Sequence, residues 1–281
     1  MKDYIALMKP GIIVGNLITA IAGFFFASKG EMASKEWIGM VLGLSCVIGS
    51  GCVFNNYHDR FIDERMKRTE KRALVKGTIS PNQALLFGSL LLFLGIILLY
   101  TLTNPLATFL AALGFVGYVL IYTPMKIRSV YATLIGSLPG AIPPIVGYAA
   151  FSNQFNFAAF LLFLIVAFWQ MPHFYAISLY RMDEYRSAKI PIYPVVKGVF
   201  ATKLQMIFFT FAFGVSAILP WFFGYTGIYY MIVMSITSIG WMILAIFGLK
   251  KDASIDWAKK MFRFSLIIIM FFSLMLSIDA I

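Results

Sequence analysis

Apolar residues along this chain gather into nine long runs separated by polar stretches, near residues 11–28, 37–56, 83–103, 105–123, 131–151, 157–178, 201–222, 227–249 and 261–279. Each run approaches the roughly 20 residues that a helix needs to cross about 30 Å of hydrocarbon. A helix also satisfies its own backbone polar groups, which lipid cannot do. The pattern therefore predicts nine membrane-spanning helices. Gly and Pro interrupt several of them, most densely at Pro139, Gly140, Pro143 and Pro144, so kinks are expected in the fifth and sixth helices.

Composition supports a membrane bundle and excludes a soluble domain. The 281 residues are 60% hydrophobic and only 12% charged, with a mean hydropathy of +0.85, against about 25% charged in soluble domains. Little remains outside the runs except loops, so residues 1–281 read as one membrane-embedded domain. Cys46 and Cys52 both fall inside the second run, with no CxxC spacing and no His cluster nearby. They read as small buried hydrophobes, and neither a disulfide nor a zinc site follows. The first run follows Lys2 and Lys9 but lacks a small-x-small cleavage site, so it reads as a mature helix.

Charge then orients the bundle. With the N-terminus inside, 21 of the 23 Lys and Arg residues fall in inside segments, and only Lys29 and Lys35 fall outside. Basic residues accumulate on the cytoplasmic side of membrane proteins, so the N-terminus is expected in the cytoplasm and the C-terminus outside. The net charge of +11 is a topology signal and calls for no nucleic-acid partner. The two longest loops are inside, after the second and sixth helices. A short basic loop after the fourth helix has its counterpart after the eighth. This echo suggests a bundle of related halves around a shared cavity, with function at the cytoplasmic ends.

The candidate chemistry lies at the end of the second run, Asn55-Asn56-Tyr57-His58-Asp59-Arg60-Phe61-Ile62-Asp63. Asn55, Asp59 and Asp63 are spaced by four, so on a helix each stands about 6 Å above and 40° around from the last. Two carboxylates and an amide carbonyl in one stripe are hard oxygen ligands suited to Mg²⁺, which takes its remaining ligands from water and substrate phosphates. Polar groups at that depth are costly and point to function. Arg60, Arg65, Lys67, Arg68, Lys71, Arg72 and Lys76 follow and make this mouth attractive to a diphosphate.

These residues also carry a resemblance. Asn55-x-x-x-Asp59-x-x-x-Asp63 closing the second of nine helices resembles the first aspartate-rich motif of the UbiA superfamily of intramembrane prenyltransferases. Many members have Asp after the Asn; Asn56 instead resembles the haem-farnesylating branch. So do Ser50 to Tyr57, Tyr122-Thr123-Pro124-Met125-Lys126, Gly136 to Pro144, Trp169-Gln170-Met171-Pro172-His173-Phe174 and Ile190 to Gly198. The second aspartate-rich motif departs from the superfamily pattern. It reads Tyr180-Arg181-Met182-Asp183-Glu184-Tyr185-Arg186, and two adjacent acids cannot share a helical face, so one of Asp183 and Glu184 is expected to face the site; resemblance to the haem-farnesylating branch, which has an acid followed by Tyr here, implies Glu184.

The resemblance implies an all-α bundle of nine transmembrane helices around a central cavity. It implies transfer of farnesyl from farnesyl diphosphate to a vinyl group of haem b, with water addition, giving haem O and diphosphate. Mg²⁺ would be held by Asn55, Asp59 and Asp63, with Glu184 completing the catalytic set. The diphosphate would meet Arg60, Lys126, Arg128 and Arg186, and the acceptor would meet Tyr122, His173 and Tyr185. His173 could ligate haem iron or accept a proton. The product's partners would be a haem A synthase or a terminal oxidase, and the location a bacterial plasma membrane, since no transit-like N-terminus is present. Two other readings share parts of the pattern. One is a related prenyltransferase acting on a quinone precursor such as 4-hydroxybenzoate; the other is a transporter, against which the one-sided clustering of ionisable residues argues.

Overall fold

The computed structural model describes residues 1–250 and 255–281. Among these, nine helices are long and apolar enough to cross a membrane: α1 (Pro10–Ser28), α2 (Ser34–Asp63), α3 (Pro81–Leu102), α4 (Pro105–Met125), α5 (Ala132–Ser152), α6 (Phe157–Tyr180), α7 (Val199–Phe222), α8 (Ile228–Phe247) and α9 (Ile255–Ile278). All nine expected runs are present, and the chain is a multi-pass membrane protein. Lys251, one of the basic residues that orient it, lies outside the described residues.

The ends of the helices follow local chemistry. Ser80 and Gln83 form a reciprocal capping box before α3, with Pro81 at its first position, where a missing N–H costs nothing. Asn104 and Asn156 cap α4 and α6 through their side-chain oxygens. At 30 residues α2 spans about 45 Å, more than the hydrocarbon needs. Its last turns therefore carry the Asn/Asp stripe out of the apolar layer on continuous helix.

Close packing rests on glycine, because lipid gives helices no hydrophobic reason to associate and contact must come from backbone approach. A Cβ on Gly147 of α5 would stand 1.8 Å from the Ala20 carbonyl oxygen of α1, and one on Gly23 would stand 2.0 Å from that of Pro144. Between α2 and α3, a Cβ on Gly95 would stand 2.8 Å from the Gly43 oxygen.

The expected kinks divide. α5 breaks at Ala141 into segments Ala132–Gly140 and Ile142–Ser152, where Pro143 and Pro144 cannot donate to the preceding turn. α6, where a kink is also expected, continues as one helix from Phe157 to Tyr180 through Pro172, which removes one backbone hydrogen bond without ending the helix. An irregularity the sequence pattern does not announce lies in α4, where Gly117–Tyr122 forms a π-helical turn.

At the polar end of the bundle the two long loops meet. Met66 from the loop after α2 is buried against Ala188 and Ile190 from the loop after α6, with Ile62, Tyr185 and Ile192 around them. The loops that echo each other in sequence thus form one cap over the end of α2.

Candidate active site

Each polar side chain of the α2 stripe is held by a cation from a different part of the chain. Asn55, Asp59 and Asp63 are all buried. Lys9 Nζ donates to Asn55 Oδ1 at 2.8 Å, Lys126 Nζ to Asp59 Oδ2 at 2.7 Å, and an Arg72 N–H to Asp63 Oδ2 at 2.5 Å. The Asn55 amide is oriented from its other side, since its Nδ2 donates to Thr123 Oγ1 at 3.2 Å. Thr123 in turn donates to the Tyr118 carbonyl at 2.8 Å, a group five residues back that belongs to the π turn. Such turns concentrate at functional sites; here it fixes which end of Asn55 faces the cavity.

Lys9 reaches the stripe because the chain turns sharply into α1: its φ is +52°, a left-handed conformation that a non-glycine residue adopts at a cost of order 1–3 kcal/mol. The segment before it is anchored by Asn56, whose Nδ2 donates to the Leu7 carbonyl at 2.9 Å. A carboxylate at position 56 could not donate that bond. Burial, with Arg72 and Lys126 nearby, lowers the Lys9 ammonium to a pKa of about 8. At Lys126 burial also pulls downward, but Asp59 and Tyr122 outweigh it and the net displacement is upward.

The stripe opens into a cavity of about 890 Å³, near the upper end of the roughly 300–1,000 Å³ usual for ligand sites. Lys9, Arg68, Arg72, Lys126 and Arg181 line it beside Asn55, Asp59 and Asp63; other walls are apolar and aromatic, including Phe115, Tyr118, Tyr122, Trp169, His173 and Phe262. Tyr118 and Tyr122 stack at 5.5 Å. Gly136 leaves the space that Tyr122 fills, since a Cβ there would stand 2.6 Å from its ring.

Comparison with known proteins supplies the family. The sequence profile of the UbiA prenyltransferase family matches residues 16–273. The chain belongs to that family. Its relatives include proteins named protoheme IX farnesyltransferase: one from Photorhabdus laumondii, 47% identical over 99% of this chain and 95% of its own length, and one from Protochlamydia amoebophila, 46% identical over 98% of both. Among solved structures, a digeranylgeranylglyceryl phosphate synthase superposes with a TM-score of 0.82 at 21% identity, covering 98% of both chains. A UbiA homolog from Archaeoglobus fulgidus bound to DMAPP and Mg²⁺ superposes at 0.74 with 14% identity, covering 98% of this chain and 99% of that one. These structural likenesses establish the UbiA-type fold, and the family makes the chain a prenyltransferase.

The donor set of this UbiA protein suits a metal shared with phosphate. Among the described residues no group of three or more His, Cys, Asp or Glu side chains could hold an ion unaided. Asp59 and Asp63 each keep a second carboxylate oxygen without a hydrogen-bond donor among the described residues, and Asn55 adds a carbonyl. Hard oxygens that fall short of a full shell are what a Mg²⁺ completed by phosphate and water requires.

Not every expected site residue lies on the cavity. Asn55, Asp59, Asp63, Lys126, Tyr122, His173 and Tyr185 do. Arg60, Arg128 and Arg186 do not. The Arg60 guanidinium donates to the Tyr57 carbonyl at 2.6 Å and lies over the Tyr57 and Phe61 rings; one residue past Asp59, it is turned about 100° away from the stripe. Arg128 is exposed, and Arg186 pairs with Asp183 at 2.9 Å. In their place stand Lys9, Arg68, Arg72 and Arg181. Of the adjacent acids, Asp183 is 87% exposed, whereas Glu184 turns toward Arg68 at 3.8 Å and buries one carboxylate oxygen. Glu184 thus touches the cation wall and stops short of the cavity lining. Lys9 and Arg72 carry no spacing signal; only the Lys-Pro junction at the start of α1 hints at the first.

Proposed function

We propose that this protein transfers the farnesyl group of farnesyl diphosphate to a vinyl group of haem b, with addition of water, giving haem O and diphosphate. One observation carries the reading: a single cavity joins a cation-rimmed oxygen stripe to an aromatic wall bearing His173. The names of relatives 46–47% identical over nearly the whole chain support the same substrates.

Asn55, Asp59 and Asp63 would hold Mg²⁺, with Glu184 acting through Arg68. When bound, the ion neutralises charge on the departing diphosphate. Lys9, Arg68, Arg72, Lys126 and Arg181 bind the phosphate oxygens and stabilise the negative charge that develops as the allylic C–O bond breaks. The bonding electron pair leaves with diphosphate. Tyr118, Tyr122 and Phe115 turn aromatic faces to the allylic cation, an interaction of about 2 kcal/mol or more when desolvated. The terminal vinyl carbon supplies the electrons of the new C–C bond. Water then bonds to the carbon next to the haem ring and releases one proton.

The positive-inside pattern supports a cytoplasmic N-terminus and an active site toward the cytoplasm, and the bacterial relatives support a bacterial plasma membrane. A haem A synthase or terminal oxidase would receive the product, and residues 1–281 would act as one domain. The test is incubation of the purified protein with haem b, farnesyl diphosphate and Mg²⁺, with mass analysis of the haem. A farnesyl-plus-water adduct is expected; diphosphate release only with 4-hydroxybenzoate would transfer the assignment to a quinone precursor.

A further inference from the structure

His173 sits in an aromatic clamp on the cavity wall. Its ring stacks on Trp169 at 4.8 Å, lies against Phe262 at 4.9 Å, and meets the edge of Phe174 at 5.1 Å. Its Nδ1 is 2.7 Å from Ser265 Oγ on α9. The Ser265 hydroxyl has one proton, which the Phe262 carbonyl at 2.6 Å is placed to accept. With the proton there, Ser265 accepts from His173, and Nδ1 carries the hydrogen. Trp169 locks the arrangement again, donating its Nε1–H to the Ser265 carbonyl at 2.9 Å. In the neutral ring the lone pair is then on Nε2, which has no hydrogen-bond partner among the described residues.

We propose that His173 Nε2 is the axial ligand of the haem iron and that Ser265 is the positioning residue that fixes its tautomer and ring plane. This rests on haem b being the acceptor. A metal-ligating histidine typically donates its other N–H to a neighbouring oxygen that does not touch the metal, and that bond sets which nitrogen is metallated. A role as general base fits less well. The Nδ1 hydrogen bond ends on a hydroxyl already committed to a carbonyl, so no carboxylate waits to stabilise an imidazolium as in a catalytic triad. The clamp of Trp169, Phe174 and Phe262 instead holds the imidazole ring in one plane. Iron ligation would give the haem a fixed point from which one vinyl group faces the farnesyl carbon.

The test uses purified full-length protein titrated with haem b, read by absorption and by resonance Raman of the ferrous form. Wild type is expected to show an iron–imidazole stretch. His173→Ala should lose it, and free imidazole should restore it in His173→Gly. Ser265→Ala should weaken haem binding by about 10–100-fold and move the stretch, with the KM for farnesyl diphosphate unchanged; Ser265→Thr should restore both. An unchanged stretch in His173→Ala, in a preparation whose wild type farnesylates haem, would overturn the iron assignment and leave the proposed reaction standing; His58 would be the remaining histidine. A wild-type stretch and affinity in Ser265→Ala would overturn the role of Ser265, and this comparison decides even where His173→Ala does not fold. Absence of any haem adduct from wild type would sink the proposed function, and the inference with it.

Discussion

Lys126 Nζ stands 2.7 Å from Asp59 Oδ2, joining the end of α4 to the end of α2 across the mouth of the cavity. The contact puts a cation and the carboxylate proposed to bind Mg²⁺ where one diphosphate can meet both. Lys126→Ala is expected to lower kcat by about 10²-fold or more, the usual cost of deleting a group aimed at developing negative charge. Lys126→Arg should recover part of it. Single-turnover measurement of diphosphate release separates this from slow product release.

The placement of basic residues predicts an asymmetry. Lys9→Ala and Arg72→Ala each remove a cation that touches an oxygen ligand, so the KM for farnesyl diphosphate should rise by about tenfold or more, as for loss of a charge-assisted hydrogen bond worth roughly 1.5–3 kcal/mol. Arg60→Ala, Arg128→Ala and Arg186→Ala remove cations that face other groups or solvent, and their kinetics should stay within about twofold of wild type. Equal effects in both sets would contradict the cavity assignment.

Chelation separates metal from acceptor. With excess EDTA, turnover should fall to background while the haem b titration keeps its midpoint, because Asn55, Asp59 and Asp63 pair with Lys9, Lys126 and Arg72 and share no hydrogen-bond partner with His173. Restoration by Mg²⁺ completes the check. A haem midpoint that shifts with chelator would mean that the two sites share ligands.

Backbone contact between α1 and α5 makes Gly147 intolerant of any side chain. Gly147→Val would drive a Cβ to 1.8 Å from the Ala20 oxygen, and overpacking of this kind costs about 1–3 kcal/mol or more. A lowered midpoint of thermal aggregation in detergent is expected. Gly11→Ala, where nothing lies within 4 Å, is the control and should leave the midpoint unchanged.

Much of this molecule follows from local rules that sequence obeys on its own. Nine apolar runs had to become helices because lipid leaves the backbone no other partner, and a spacing of four put Asn55, Asp59 and Asp63 on one side of α2 because helical geometry does so anywhere. Tertiary structure alone decided which cations those oxygens meet. Lys9 lies 46 residues from Asn55 along the chain and Lys126 lies 67 from Asp59, and no periodicity links such positions. It also brought Arg68 to Glu184 at 3.8 Å and the Ser265 hydroxyl to His173 Nδ1 at 2.7 Å. The physical reason is that spacing fixes the face of a helix, whereas the partner of that face comes from helices and loops distant in the chain, which spacing does not encode.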